Sequence, residues 1–490
     1  MKNRSDININ ELRMIPGSHL HFIGIGGSSM SGIAELALHR GYKVSGSDSA
    51  ESDATARLSA RGAEICIGHC SGNISPDCTL VIYTLAISQD NPEYVRAHEL
   101  GIPTIERGTF LGAIAKEYPS VTAVAGTHGK TSTTSMLSSI LITAEKDPSI
   151  HLGGISSAFN SNVRTGHSDI FVTEACEYHE NFLNILPEIG IVLNVEAEHL
   201  DYFGSMENVM QSFNKFIDGI SKDGILVVCA DSAPALACAK TAHCNIITYS
   251  IEKEEAPSDF TNAYGKAPLH HYYAKNLTAP VHTQHNTVKS ITDGYSFTLF
   301  IDGNEICDIK LSVPGKHNVG NALAAIATSY YLKCSTESIQ QGLLLFKGAG
   351  RRFDPAGEYN GAFVINDYAH HPTEIKATIE AAKSTCEGKI WSVFQPHTYS
   401  RALQFTNDFC EALKGSDYVV ITDIYAAREP FTDAIHSKTM NDLFVASGIN
   451  SAYISSFDDI AVYLKSHIQP GDIVLLLGAG TINKLAEKII

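Results

Sequence analysis

The chain has 490 residues, of which 44% are hydrophobic and 18% charged, and its formal net charge is −17 at pH 7. This length predicts about three globular domains, and the acidic balance argues against a nucleic-acid-binding surface. The 11 cysteines form no C-x-x-C pair and no signal-peptide pattern precedes them, so we expect reduced thiols in the cytoplasm. No apolar run of about 18 residues predicts a membrane span, so we expect no membrane partner.

The first nucleotide-binding pattern lies at residues 19–48, where HLHFIGIGGSSMSGIAELALHRGYKVSGSD predicts strand, Gly-rich turn, helix and strand. Gly24, Gly26 and Ser29 nearly match G-x-G-x-x-G. Asp48 stands about where a ribose-binding acid follows in dinucleotide-binding folds. A nicotinamide enzyme and a fold of this type without a ligand both stay open from this segment alone.

A second pattern, VTAVAGTHGKTSTTSML at residues 121–137, predicts a buried strand, a Gly-rich loop and a helix. The usual phosphate loop, G-x-x-x-x-G-K-[ST], would place a glycine where Val124 stands. Gly126 and Gly129 still allow backbone amides to approach a phosphate, and the helix start adds N–H groups. Since Lys130 can reach terminal phosphates, a nucleotide site with a shortened loop is favoured over a solvated turn.

Polar residues that suit a metal follow two further apolar strands of the central part. Glu174 ends one strand, and His199 lies in NVEAEHLDYFG after the next. Mg²⁺ prefers oxygen ligands and usually takes only one or two carboxylates together with phosphates. Thr131, Glu174 and His199 are therefore candidates to surround Mg²⁺ between ATP and a substrate, with a structural histidine as the alternative for His199.

The remaining pattern predicts a further antiparallel part and a third α/β part. Residues 253–310 alternate like antiparallel strands, and residues 314–332 predict a Pro-led helix with an Ala-rich face. After Arg351 and Arg352, strands again end in polar residues. The candidates there are Asp367, His370, His371, His397 and Arg401. A solvated basic face is the alternative for the arginines, and helix capping is the alternative for Asp367.

The order of these motifs resembles the Mur ligases, in particular their alanine-adding branch. The motifs are GIGGSSMSGIA, GTHGKTSTT, EACEY, LNVEAEHLDYFG, PGKHNVGNALAA, GRRFD, DYAHHPTEI and FQPHTYSR, and they cover nearly the whole chain. The resemblance implies a Rossmann-like UDP-sugar-binding domain over residues 1–117. It implies a central domain over residues 118–346, with a P-loop ATPase-like parallel sheet and an antiparallel section. It also implies a C-terminal α/β domain over residues 347–490 that closes over ATP and an amino acid.

The activity implied by the resemblance is an ATP-dependent amide-forming ligation in cytoplasmic peptidoglycan synthesis. The carboxylate of UDP-N-acetylmuramate would be activated as an acyl phosphate with ATP and Mg²⁺, and L-alanine would displace phosphate. We expect a monomer or a homodimer. Two alternatives are a recycling ligase that attaches a preformed peptide and a non-catalytic UDP-sugar-binding protein. The second nucleotide loop disfavours a nicotinamide dehydrogenase.

The resemblance also implies roles for single residues. Lys130, His199 and Arg352 would be catalytic, and Thr131, Glu174 and His199 would bind the metal. The expected ATP contacts are Gly126, Thr127, His128, Gly129, Lys130, Thr131, Ser132, Asn318, Asn321, Arg352 and Asp367. The expected UDP-sugar contacts are Gly24, Gly26, Gly27, Ser28, Ser29, Met30, Ser31, Asp48 and His69. The expected amino-acid and acyl-phosphate contacts are His370, His371, His397 and Arg401.

Four positions depart from the pattern common among relatives or need separate interpretation. Ser28 and Ser29 replace a small residue and a glycine, which adds hydroxyls near the pyrophosphate. Cys176 stands where some relatives have an acid. Phe213 lies about where other Mur ligases carry a modified lysine, and an apolar residue there fits the alanine-adding branch.

Overall fold

The computed structural model describes residues 15–258, 260–280, 292–427 and 429–490. The chain divides into two compact units. The first contains the described residues up to Tyr272 together with Ala324–Gly342, and the second contains Tyr273–Leu323 and Leu343–Ile490. Across the described ranges, no helix has the length and apolar character needed to cross a membrane.

The N-terminal part of the first unit is a parallel sheet with helical connections, as predicted. The strands are β1 (His19–Ile23), β2 (Lys43–Asp48), β3 (Glu64–Ile67), β4 (Cys78–Tyr83) and β5 (Thr104–Glu106). The helices are α1 (Ser28–His39), α2 (Asp53–Ala60), α3 (Pro92–Glu99) and α4 (Arg107–Ala115), with a 3₁₀ turn at Ser71–Asn73. The strand order is β3-β2-β1-β4-β5, so β1 with its Gly-rich turn is central.

The rest of the first unit is built on a second sheet. Its strands are β6 (Ser120–Ala125), β7 (Ser149–Ser156), β8 (Ser161–Arg164), β9 (Ile170–Glu174), β10 (Ile189–Val192), β11 (Ile225–Cys229) and β12 (Asn245–Ser250). The helices are α5 (Lys130–Thr143), α6 (Leu200–Phe203), α7 (Met206–Asp218) and α8 (Ala233–Ala239), with a 3₁₀ segment at Tyr178–Asn184. These seven strands belong to a 10-stranded sheet and follow one another in the order β12-β11-β10-β6-β9-β7-β8. Among these seven strands, only β8 is antiparallel to its neighbour.

This strand order brings the predicted phosphate loop and metal candidates to one edge of the sheet. Strand β6 lies between β10 and β9 and is parallel to both. The loop that follows β6, Glu174 at the end of β9, and the segment that follows β10 therefore lie at neighbouring carboxyl ends. Ligands bind at this edge in open parallel sheets, because the loops there carry the polar groups.

The second unit contains a hairpin and a third sheet. Strand β13 (His270–Thr278) crosses the division between the units. The hairpin consists of β14 (Ser296–Ile301) and β15 (Asn304–Lys310). Helices α9 (His317–Tyr331) and α10 (Thr336–Leu345) follow, and their residues between Ala324 and Gly342 belong to the first unit. The pair β14–β15 is antiparallel, which confirms the predicted antiparallel section, although residues 259 and 281–291 of that stretch lie outside the described ranges. Helix α9 begins at His317, three residues after Pro314.

The third sheet confirms the expected C-terminal α/β part. Its strands are β16 (Asp354–Tyr359), β17 (Ala362–Asp367), β18 (Ile390–Phe394), β19 (Tyr418–Ile421), β20 (Ser451–Tyr453) and β21 (Ile473–Leu477). Its helices are α11 (Pro372–Lys383), α12 (Tyr399–Leu413), α13 (Ser437–Ala446), α14 (Phe457–His467) and α15 (Ala486–Ile489), with a 3₁₀ turn at Ile482–Leu485. The order is β16-β17-β21-β18-β19-β20, parallel except for β16 with β17.

The third sheet buries both faces, which explains its nearly continuous apolar strands. Phe363 and Ile365 of β17 belong to a core with α11, α12 and α13. Their neighbours Ala362 and Val364 belong to the core with α14 on the other face. Alternate residues of a strand point to opposite faces, so one strand supplies both cores.

Candidate active site

The loop after β6 has the backbone geometry of a phosphate-binding turn. Gly126 and Gly129 have φ of +141° and +84°, values that favour glycine. A Cβ on Gly126 would lie 3.0 Å from Leu193 Cβ, so a side chain would crowd the segment after β10. Helix α5 begins directly after Gly129. The loop therefore presents the start of a helix at the sheet edge, as the sequence predicted.

Contacts to the segment after β10 fix the shape of this loop. The backbone N–H of His128 donates to Asn194 Oδ1 (2.8 Å), and the Asn194 amide donates back to His128 O (3.1 Å). Glu196 N donates to Thr127 Oγ1 (2.9 Å). Because Thr127 and His128 already bind protein groups, these contacts hold the loop in shape. Asn194 was missed by the sequence analysis.

Lys130 at the start of α5 points back over its own loop. Its Nζ donates to the carbonyl oxygens of Gly126 (2.5 Å) and Thr127 (3.0 Å) and pairs with Glu177 Oε2 (2.9 Å) and Oε1 (3.2 Å). The side chain of Glu177 is only 3% exposed and that of Lys130 16%. Burial opposes the charge of Lys130, but Glu177 together with Cys176 and Glu174 outweighs burial and raises the pKa of Lys130.

Two metal candidates lie against the same pair of glycines. Glu174 Oε1 accepts a hydrogen bond from Gly153 N (3.0 Å). A Cβ on the next residue, Gly154, would lie 3.4 Å from Thr131 Cγ2. Thr131 and Glu174, which are 43 positions apart in the chain, therefore both border the glycine segment of β7.

The third metal candidate, His199, lies near the chain segment that holds Glu177. Its ring centroid lies 4.4 Å from that of Tyr178, the residue after Glu177. Its Nδ1 lies 3.9 Å from Glu198 Oε1. The backbone of His199 is left-handed, with φ of +56°. Such strain at a residue other than glycine is typical of functional sites.

Asp48 closes the first Gly-rich turn. Gly24 has φ of +80°, and Gly26 N donates to Asp48 Oδ2 (2.9 Å). A Cβ on Gly26 would lie 2.9 Å from that oxygen, so a side chain there would displace the Asp48 carboxylate. Gly27 is the residue before helix α1. The structure thus places Asp48 against the turn itself, where it orients a backbone N–H.

The serines that depart from the usual pattern hold the Gly-rich turn against the second sheet. Ser28 Oγ donates to Gly153 O (3.3 Å), and Ser31 Oγ donates to Ser28 O (3.0 Å). Met30 is buried in the core. A Cβ on Gly32 would lie 3.3 Å from His151 Cδ2, so Gly32 permits the close packing of α1 that the third glycine usually allows.

Ser29 also joins two residues that the sequence analysis missed. Arg107 Nη1 donates to Ser29 Oγ (2.9 Å), and that oxygen lies 3.2 Å from Nε2 of the buried His151. His151 Nδ1 lies 3.3 Å from Thr173 Oγ1. Burial and the charge of Arg107 lower the pKa of His151 to about 4, so its ring is neutral near pH 7. These contacts bring an arginine to the candidate pyrophosphate turn.

His69 is connected through Ser47 to a buried carboxylate, that of Glu93. Its Nδ1 lies 3.0 Å from Ser47 Oγ, which donates to Glu93 Oε2 (2.5 Å). The other oxygen of Glu93 accepts from Asn73 Nδ2 (2.5 Å). Burial opposes the charge of Glu93, but hydrogen bonds from His21, Ser47 and Asn73 outweigh it and lower its pKa. Glu93 thus ties the loop that carries His69 to the sheet.

In the second unit, the two predicted asparagines form one buried pair at the start of α9. Asn318 Nδ2 donates to Pro314 O (2.7 Å), and Asn321 Nδ2 donates to Asn318 Oδ1 (3.0 Å).

Arg352 and Asp367 lie in one charged cluster of the second unit. Asp367 accepts from the backbone N–H groups of Phe353 (2.9 Å) and Ala369 (2.8 Å). Arg352 Nη1 pairs with Glu374 Oε1 at 3.2 Å. Burial raises the pKa of Asp367. Burial opposes the charge of Arg352, but Glu374 together with Asp367 and Tyr368 outweighs it and raises the pKa of Arg352. The cluster keeps Arg352 charged, and Glu374 is a further residue that the sequence analysis missed.

The C-terminal histidines and Arg401 are brought together by the ends of β17 and β18. The rings of His370 and His397 lie 5.7 Å apart, and Arg401 Nη1 lies 3.1 Å from His397 Nδ1. His371 Nδ1 accepts from Thr373 N (3.3 Å) and caps α11. His371 therefore has a structural role in addition to its position in this cluster.

The two other unusual positions have different environments. Cys176 is exposed in the segment between Glu174 and Glu177. Phe213 is fully buried, and its ring lies 5.3 Å from that of Phe182. Phe213 is therefore part of the core of the first unit. Ser132 lies in the first turn of α5.

Comparison with known proteins shows to which protein family the chain belongs. Family profiles match three successive stretches: Mur ligase family, catalytic domain, at residues 19–119; Mur ligase middle domain at 124–329; and Mur ligase, glutamate ligase domain, at 351–480. The chain therefore belongs to the Mur ligase family of ATP-dependent ligases, which confirms the resemblance and the α/β class.

Particular relatives are similar along nearly their whole length. UDP-N-acetylmuramate–L-alanine ligase of Acetivibrio thermocellus is 44% identical over 472 residues, covering 96% of this chain and 95% of the relative. The protein of that name from Alkaliphilus metalliredigens is 45% identical, covering 96% and 97%. The crystal structure of UDP-N-acetylmuramate-alanine ligase MurC from Thermotoga maritima has a TM-score of 0.76 at 28% identity, covering 96% and 98%.

Proposed function

We propose that this Mur ligase joins L-alanine to the carboxylate of UDP-N-acetylmuramate and converts ATP to ADP and phosphate. The product is UDP-N-acetylmuramoyl-L-alanine, a precursor of peptidoglycan made in the cytoplasm. The observation that carries this proposal is the edge of the second sheet, where the phosphate loop with Lys130 adjoins Glu174 and the segment after β10. Relatives of that activity, 44% and 45% identical over 96% of this chain, support the choice of substrates.

The reaction needs two displacements, because a free carboxylate is a poor acyl donor. A carboxylate oxygen of the muramate attacks the γ-phosphorus of ATP, and ADP leaves with the electron pair of the broken P–O bond. The neutral amine of L-alanine then attacks the acyl carbon, phosphate leaves, and the amine loses a proton. The protein must therefore stabilise negative charge on the transferring phosphoryl group.

The ATP phosphates are assigned to the shortened loop, and Arg352 is a further proposed contact. Lys130 would neutralise the phosphoryl group, and the raised pKa of Lys130 supports a charged ammonium there. Arg352 would do the same for the γ-phosphate. Asn318 and Asn321 would contact the adenine, and Asp367 the ribose. The remaining loop contacts are Gly126, Thr127, His128, Gly129, Thr131 and Ser132.

The residues near the phosphate loop fit Mg²⁺. The Thr131 hydroxyl and the Glu174 carboxylate border the same glycine segment, and they are oxygen ligands of the kind that Mg²⁺ prefers. His199 would be the third ligand. When bound, the ion would supply positive charge to the ATP phosphates. The protein offers one carboxylate in this set, so we expect the phosphates to complete the coordination shell.

The UDP-sugar is assigned to the first Gly-rich turn. Backbone groups of Gly24, Gly26, Gly27 and Ser28 would approach the pyrophosphate, with Asp48 holding the turn. Ser29, Met30, Ser31 and His69 complete the proposed contacts. Arg107 is added to this set because its guanidinium donates to Ser29 and carries a positive charge to the turn.

The amino acid and the acyl phosphate are assigned to the cluster of His370, His371, His397 and Arg401. The contact between Arg401 and His397 supports this assignment, because it puts a guanidinium beside the histidines and guanidinium groups suit carboxylates and phosphates. We further propose domain boundaries at residues 117 and 346, a monomeric or homodimeric state, and a cytoplasmic location. The three sheets and the three profile matches support this division.

The proposal is tested by phosphate release with ATP, Mg²⁺, UDP-N-acetylmuramate and either L-alanine or a tripeptide with a free amino terminus. We expect release with L-alanine and little with the tripeptide, and no release from the Lys130→Ala protein. Parallel reactions with glycine and L-serine measure the strictness of the amino-acid site. Release with the tripeptide alone would instead identify a recycling ligase, and UDP-sugar binding without any release would identify a non-catalytic binding protein.

A further inference from the structure

The ammonium of Lys130 has every N–H direction occupied by its own protein. An ammonium has three N–H groups. Two directions are taken by the carbonyl oxygens of Gly126 and Thr127, and the third by the carboxylate of Glu177. Carbonyls of the loop can hold the ammonium whether or not a nucleotide is present. The Glu177 carboxylate, by contrast, occupies the N–H direction of Lys130 that an anionic oxygen of a bound nucleotide would need.

Charge and burial make Glu177 a close chemical substitute for a phosphate. Its side chain is 3% exposed, and its two oxygens lie 2.9 Å and 3.2 Å from Lys130 Nζ. A buried cation without an anion is strongly destabilising, so Lys130 needs a counter-ion before any nucleotide arrives. Carboxylate and phosphate oxygens are both anionic acceptors of charge-assisted hydrogen bonds.

We propose that Glu177 is a positioning residue that occupies the place of a nucleotide phosphate on Lys130 and withdraws when the nucleotide binds. This inference rests on the proposed binding of ATP at the loop. In the absence of nucleotide, Glu177 keeps Lys130 extended over the loop and ready for a phosphate. During binding, the same carboxylate competes with the phosphate for the ammonium.

The chain after Glu177 provides a way for it to withdraw. The next turn contains His179 and Glu180, which have φ of +52° and +55°. Neither is glycine, so both store backbone strain. The side chain of Glu180 is anchored by Lys215 Nζ (2.9 Å) and Ser212 Oγ (3.1 Å). Relaxation of the strained turn would thus move Glu177 while the far end of the turn stays attached.

The test compares nucleotide affinity and kinetics in wild type and Glu177→Gln. Glutamine keeps the shape of the side chain but gives only a neutral acceptor, and charge-assisted hydrogen bonds are about twice as strong as neutral ones. We expect Glu177→Gln to bind Mg·ADP and Mg·ATP about tenfold more tightly by calorimetry. The KM for ATP should fall as the nucleotide affinity rises, whereas kcat should change much less. Glu177→Asp, which keeps the charge, should restore an affinity closer to wild type.

Glu117→Gln is the matched control, because Glu117 also pairs with a cation in the first unit but lies away from the loop. Its Oε2 lies 2.7 Å from Arg40 Nε. We expect its nucleotide affinity to equal that of wild type. Unchanged or weaker binding by Glu177→Gln would overturn the inference while leaving the proposed function intact. Failure of wild type to bind either nucleotide would overturn both.

A measurement on the wild-type chain covers the case in which Glu177→Gln does not fold. Hydrogen exchange is followed by mass spectrometry with and without Mg·ADP. We expect slower exchange in peptides covering residues 126–131, and faster exchange in peptides covering 176–184 as the turn is released. Slower or unchanged exchange at 176–184, with protection of 126–131, would contradict the withdrawal of Glu177.

Discussion

The stability of the first unit should depend on the protonation of His151, which connects Ser29 of the Gly-rich turn to strand β9. The pKa of His151 is lowered from 6.5 to about 4 by burial, with the charge of Arg107 as a second cause. In the unfolded chain the histidine returns to its usual pKa of about 6.5. Between these values the unfolded state therefore binds more protons than the folded state, and protonation favours unfolding.

The sign and the size follow from these two pKa values. The stabilisation is fully present above about pH 6.5, is lost as the pH falls through the window down to about 4, and then stays constant. Each pKa unit corresponds to about 1.4 kcal/mol, so the full window is worth about 3 kcal/mol. Between pH 7 and pH 5 the expected loss is about 2 kcal/mol.

The assay is urea unfolding read by pulsed hydrogen exchange on peptides that contain strand β7 (Ser149–Ser156), so that only the first unit is reported. Wild type is compared with His151→Gln at pH 7 and pH 5 at constant ionic strength. The variant has no ring to titrate, so its unfolding free energy should lose about 2 kcal/mol less over this pH change than wild type. His98→Gln, which removes an exposed histidine of the same unit, should keep the wild-type pH dependence.

Equal pH dependence in wild type and His151→Gln would refute this reasoning. It would mean that another group accounts for the acid sensitivity of the first unit, or that the folded chain accepts a proton at His151 without cost. A reduced dependence in His98→Gln as well would show that the method is not specific to the buried ring.

Three further predictions concern the proposed ligand sites. Lys130→Ala should abolish ligation but leave UDP-sugar binding nearly unchanged, because the Gly-rich turn and the phosphate loop are different segments. Calorimetry that shows loss of both the ATP affinity and the UDP-sugar affinity would contradict this. Arg352→Ala should lower kcat by about 10²–10³-fold and change the KM for ATP much less, because its charge counts mainly in the transition state; a raised KM with wild-type kcat would argue against that role. Glu93→Gln should weaken UDP-sugar binding but not ATP binding, because Glu93 ties the His69 loop to the sheet; an equal loss of both affinities in calorimetry would point to general unfolding.

Local patterns in the sequence were enough to predict the elements that carry the site. The apolar run before Gly126, the two glycines and Lys130 predicted a strand, a phosphate loop and a helix, and the structure has these at Ser120–Ala125 and Lys130–Thr143. These elements depend on backbone freedom, hydrophobic period and helix starts, all of which are properties of neighbouring residues. The order of motifs along the chain was likewise sufficient to indicate the family.

The partners of the charged groups were decided only by the tertiary structure. Lys130 pairs with Glu177, 47 positions away, and Arg107 donates to Ser29, 78 positions away. Nothing in the local pattern distinguishes Glu177 from Glu174 as the partner of Lys130. Glu177 is the partner because β6 pairs with β9, and this pairing brings the segment after β9 close to the loop after β6. Burial then determines the consequence, because a carboxylate removed from water must bind whichever donors the packed strands place within reach.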